Sequence, residues 1–182
     1  MNGNERATSI AAKTVLVIAM ILLAAALRIA PHPWNFTPIG AMALFSGAML
    51  RNRWMKFALP LVALFAGDIV VGFHKLMPVV YASVLVSIVI GIWLEECRSV
   101  TRIGAATLAS AAQFFLVTNF AVWIAFDTYP KTVAGLAACY AAGLPLFGNT
   151  LAGDAVYVTL LFGGFALAER LVLPQRHTAE LK

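Results

Sequence analysis

Charge is what this sequence has least of. Asp and Glu together number 8 in 182 residues and Lys and Arg 13, so that 12% of positions are charged against 62% that are apolar. A soluble domain carries about twice that share of charge, so the composition excludes a water-covered globule and points to a polytopic membrane protein. Cysteine is nearly absent. Cys97 and Cys139 have no CxxC spacing and fall at opposite faces of the expected bilayer, which argues against a disulfide between them. The 3 histidines show no spaced set of ligands, so no metal centre and no resident cofactor are predicted. A nucleophile elbow, an HExxH helix, a Walker loop and paired carboxylate runs are also missing, and the sequence offers no enzyme chemistry. The net charge of +5 does not point to nucleic acid, because its basic residues are scattered through short connections and form no patch.

What is abundant is apolar sequence in blocks. Six membrane spans are predicted, over residues 11–29, 38–50, 57–73, 78–94, 103–126 and 149–171, each close to the roughly 20 helical residues that a hydrocarbon core requires, except the short second one. The fold class is therefore all-α: a single transmembrane domain over 1–182. The stretch 133–143 is rich in small residues and too short to cross alone, which predicts a re-entrant or interfacial helix before the last span. The first run follows Arg6 and Lys13 and resembles a secretory signal, but its apolar length favours a retained span.

The stretch 28–47 stands apart. Three prolines (Pro31, Pro33 and Pro38), His32, Trp34 and Asn35 prevent its first half from continuing a helix. Irregular backbone at membrane depth persists only where protein or a water-filled cavity satisfies it, so this segment reads as the wall of a site.

Orientation follows from the basic residues. Alternating sides places Arg6, Lys13, Arg51, Arg53, Lys56, Arg98, Arg102, Arg170, Arg176 and Lys182 together, leaving only Arg28, Lys75 and Lys131 opposite. Positive residues mark the cytoplasmic side, so both termini are expected there. Polar and aromatic residues then gather toward the other face: His32, Trp34, Asn35, Asp68, His74, Asn119, Trp123, Tyr129, Asn149 and Asp154. An ionised acid in hydrocarbon must face a cavity or a partner, and these residues are the candidate lining of an outward-facing ligand pocket. For several of them two readings stay open. Asp68 either lines the pocket or bonds a neighbouring span. Asn119 and Trp123, four apart on one helix face, offer an amide beside a flat aromatic surface, or else an interhelical bond and an interfacial ring. Ala26 and Ala30 form a small-residue pair suited to close helix contact.

The motif Pro31-His32-Pro33-Trp34-Asn35-Phe36-Thr37-Pro38-Ile39-Gly40-Ala41-Met42-Ala43-Leu44-Phe45, with Gly67-Asp68, Gly72-Phe73-His74 and Thr118-Asn119-Phe120, resembles a family of small bacterial membrane proteins without assigned activity. In size and span count the chain is also similar to the substrate-binding S components of energy-coupling factor (ECF) vitamin transporters. That resemblance implies uptake of a vitamin-like molecule bound near the outer surface. It also implies docking of the first span, through Ala26 and Ala30, on a transmembrane subunit served by an ATPase module. Solitary relatives include a cobalamin transporter that ligates cobalt through a loop cysteine; His74 stands in the comparable loop here, as a candidate axial ligand. The alternatives are a structural or assembly subunit of a membrane complex and a proton-coupled carrier built on Asp68 and Asp154.

Overall fold

The computed structural model describes residues 3–28 and 33–172, and every element among them is helical. These are α1 (Gly3–Leu27), α2 (Ile39–Met49), α3 (Arg53–Val71), α4 (Met77–Ile92), α5 (Val100–Ala125), α6 (Val133–Val158) and α7 (Gly164–Val172). Four apolar stretches are long enough to cross a bilayer: Ile10–Leu27, Arg53–Val71, Val100–Ala125 and Val133–Leu171. Their outward faces carry exposed Val15, Leu23, Val62, Ile69 and Leu160, far more apolar surface than water tolerates. The chain is a helical membrane protein.

The remaining two helices, α2 and α4, are shorter and apolar. With 11 residues, α2 spans about 16 Å at the helical rise, half of a hydrocarbon core. It is nonetheless the hub of the bundle. Ala41 through Ala48 are all buried, and the helix packs against α1, α3, α4, α5 and α6. A helix that is apolar all round must be enclosed all round. Phe45 meets Phe162 edge-on at 5.2 Å and Phe165 at 6.1 Å, while Ser46 Oγ donates to Lys56 O at 2.8 Å, satisfying the helix's one hydroxyl. Within lipid no water is displaced by such contacts, so close packing supplies the attraction.

The closest approach is between α2 and α4. A Cβ on Gly47 would lie 2.3 Å from Ile88 O, and one on Gly91 would lie 2.3 Å from Leu44 O. Each glycine thus accepts the other helix's backbone.

Contacts at the two ends show that successive helices alternate in direction. At one end Lys13 of α1 pairs with Glu169 of α7 at 2.5 Å, and Lys56 of α3 with Glu95 after α4 at 2.5 Å. At the other, Arg28 after α1 bonds Asp68 late in α3, and Tyr81 early in α4 bonds the same carboxylate.

The separate helix expected over 133–143 is not formed. Instead α6 begins at Val133 and continues through a π-helical turn, Thr159–Gly163, into α7. Thr132 caps its start by accepting from the Gly135 N–H at 3.1 Å. Pro145 lies inside α6 without ending it, as membrane helices allow when neighbours and local adjustments satisfy the freed backbone groups. The first turns of α6 pack on the end of α5: Tyr140 Oη donates to Leu116 O at 2.8 Å, and Cys139 Sγ to Asn119 O at 3.4 Å. Cys139 is buried and Cys97 exposed, and both are free thiols.

Candidate functional site

A cavity of about 590 Å³ opens among α2, α4, α5 and α6 at the end of the bundle that carries the 33–38 and 72–76 connections. Its volume falls in the range of small-molecule sites.

One wall is the irregular segment before α2. Phe36 N donates to Pro33 O at 3.0 Å, closing a four-residue turn in which Asn35 takes φ 62°. That left-handed conformation suits asparagine better than any branched residue. The turn leaves the Trp34 carbonyl free to accept from Asn149 Nδ2 at 3.0 Å. Phe36 then rests on α6, its ring 5.9 Å from that of Tyr157. Two of the segment's carbonyls, those of Pro33 and Trp34, thereby find donors within the protein.

The segment delivers the start of α2 to Asp154. Pro38 supplies no side-chain cap to α2, and the first amides of a helix need acceptors. Asp154 of α6 provides one across the interface: the Ala41 N–H donates to its carboxylate. Gly40 makes the approach feasible, since a Cβ there would lie 2.6 Å from Asp154 Oδ1. The Asp154 side chain is 2% exposed, lines the cavity, and takes part in none of the ion pairs among the described residues.

The other lining groups divide by helix. Ser110 of α5 donates to Ser87 of α4 at 2.7 Å, forming a hydroxyl pair in the wall. Phe114 and Phe115 of α5 and Phe147 of α6 give an aromatic side, with the Phe115 and Phe147 rings 4.8 Å apart. Arg28 also reaches the cavity, but its Nη2 is 2.5 Å from Asp68 Oδ1 and its Nη1 donates to Leu64 O at 3.0 Å.

Of the residues predicted from sequence to line a pocket, Trp34, Asn35, His74, Asn119 and Asp154 do so. His32 and Ala30 lie outside the described residues, and Ala26 is exposed on α1. Four others stand off the cavity. Asp68 is enclosed by its partners: besides Arg28 it accepts from Tyr81 Oη at 2.8 Å. Trp123 is turned to the connection after α5, where its Nε1 donates to Pro130 O at 2.8 Å, so it shares no aromatic face with Asn119. The amide of Asn119 donates to Phe115 O at 2.8 Å, one turn back. Tyr129 belongs to that same connection, half-buried, and Asn149 holds the Trp34 carbonyl from behind.

The aromatic side and the hydroxyl pair were missed, although helical spacing was enough to find the first of them. Stepping back from Asn119 by four and five gives Phe115 and Phe114, and stepping back from Asp154 by four and seven gives Thr150 and Phe147, all of which line the cavity. Arg28 carried no such signal.

No curated protein and no solved structure matches the chain. Residues 8–177, which contain the whole cavity wall, match the family of unknown function DUF6580, and the chain belongs to that family.

Proposed function

We propose that this chain is a membrane uptake protein that binds a vitamin or vitamin-like small molecule in the cavity, either as an S component of an ECF-type transporter or as a solitary relative. The observation that carries the reading is the cavity itself: about 590 Å³ inside the end of a helical bundle, with three phenylalanines, a hydroxyl pair and a buried carboxylate converging on it. A bundle whose polar residues served only to join helices would close that space, because an unfilled void forfeits packing contacts.

In this reading all six hydrophobic segments cross the inner membrane, both termini are cytoplasmic, and the cavity faces outward. The asymmetry of ten basic residues to three supports that orientation. Exposed Ala26 on α1 is available to a transmembrane coupling subunit, and rotation of the bundle on an ATPase-driven partner would release the ligand inward. The volume suits a molecule of one or two ring systems. A corrinoid is larger than the cavity, so His74 would meet its cobalt only if the ring lay across the mouth.

A thermal-shift screen of the purified protein tests the proposal, using thiamin, riboflavin, biotin, cobalamins and queuosine precursors. A ligand at 100 times its Kd adds about 2.7 kcal/mol to stability, and one compound is expected to give such a shift. Silence from all of them would favour a structural or assembly subunit, and pH-dependent flux without a shift would favour a proton-coupled carrier.

A further inference from the structure

The proposal above leaves the ligand's chemistry open, and the cavity's charge narrows it. Among the cavity-lining residues the arginine and the acid are Arg28 and Asp154. They are not equivalent. Arg28 has its countercharge in Asp68, 2.5 Å away and 3% exposed. Asp154 has no such countercharge among the described residues. It has one backbone donor, Ala41 N–H, and the start of α2, whose dipole offsets about half a charge. Asp154 is therefore the cavity acid left for a cationic ligand to pair with, and such a ligand would hold it ionised in the wall.

Phenylalanine faces supply the second, independent preference. Phe115 and Phe147 sit 4.8 Å apart at an interplanar angle of 34°, with Phe114 beside them on α5. Aromatic faces are electron-rich, so they attract flat rings by stacking and positive charge by cation–π contact. A carboxylate and an aromatic wall around one space favour the same kind of occupant.

We infer that the cavity takes a flat organic cation: an aromatic ring system bearing a fixed positive charge or a protonated amine, its charged end against Asp154 and its ring on the Phe115–Phe147 side. This rests on the reading of the cavity as a ligand site. Anionic vitamins, which carry carboxylates, would gain no such pairing with Asp154.

The test is a charge series on common scaffolds, measured by calorimetric titration of the intact protein in detergent. 1-Methylnicotinamide, nicotinamide and nicotinate present a cation, a neutral molecule and an anion on one ring; thiamin and its neutral, ring-closed oxidation product thiochrome present a cationic and a neutral pair. The cationic members are expected to bind roughly thirtyfold or more tightly than their neutral counterparts, the cost of leaving one partner of a buried charge pair alone. Asp154→Asn, which keeps an acceptor for the Ala41 N–H, is expected to abolish that preference. Equal affinity across a series, preference for the anion, or a preference unchanged in Asp154→Asn would overturn the inference. Should Asp154→Asn fail to fold, the wild-type series alone decides. Binding only of neutral or anionic compounds, such as riboflavin or biotin, removes the cation inference and leaves the uptake reading standing. No binding of any compound removes both.

Discussion

Asp68→Asn is expected to destabilise the bundle by about 3–5 kcal/mol, the cost of leaving a buried charge without its partner. The lost group is the centre of a three-helix junction. Its Oδ1 accepts from Arg28 at 2.5 Å and its Oδ2 from Tyr81 Oη at 2.8 Å, while Arg28 also donates to Leu64 O at 3.0 Å. The two ionic side chains are 12% and 3% exposed, so solvent screens them little. Arg28→Met should cost a similar amount, since it strands the carboxylate instead of the guanidinium. The double variant Arg28→Met with Asp68→Leu is expected to recover most of the loss, because apolar side chains of similar volume replace a buried pair at little net cost. Thermal melts of the wild type, Arg28→Met, Asp68→Leu and the double variant in one detergent measure the cycle. Additive losses in the double variant would show that the two residues act separately. In Asp68→Asn ligand affinity should change less than stability, because Asp68 stands off the cavity.

The second large effect belongs to the contact between α2 and α4. Gly91→Ala is expected to cost about 1–3 kcal/mol, the penalty for overpacking a filled interface. The new methyl would lie 2.3 Å from Leu44 O, and a backbone carbonyl of a fully enclosed helix cannot swing aside. Gly104→Ala on α5 is the matched control. A Cβ there meets nothing within 4 Å, and the helix gains up to about 1 kcal/mol from the better helix former. The two substitutions are chemically identical and opposite in sign, so a melting comparison separates packing from propensity. A loss at both positions would contradict the account.

These junctions also mark where sequence reading stops. Helix positions were legible because apolar length and capping residues are local signals. The stretch expected over 38–50 is observed as the helix Ile39–Met49, and that expected over 103–126 as the helix Val100–Ala125. The third begins four residues before its expected start because Asn52 accepts from the amides of Trp54 and Met55, a cap that the apolar pattern does not register. Residues 133–143 were misread because length alone was weighed; packing against the end of α5 carries the helix on through Pro145.

For the site, the broken stretch before α2 announced itself through proline, and Trp34, Asn35, His74, Asn119 and Asp154 were found because polarity at depth is conspicuous. Which of the two membrane acids faces a cavity was not legible. Asp68 and Asp154 look alike in sequence, and they differ only because Arg28, 40 residues before the first, folds back onto it while no side-chain cation reaches the second among the described residues. Partner choice over that separation is a tertiary property.

The central claim, that the bundle exists to hold a small molecule in this cavity, is tested most directly by native mass spectrometry of the protein released from the membranes of the cells that make it. The account predicts a bound species of a few hundred daltons, matched to the cavity volume of about 590 Å³, present at one copy per chain and lost on mild activation. A bare chain, or lipid alone, from membranes shown to contain the free candidate compound would contradict it.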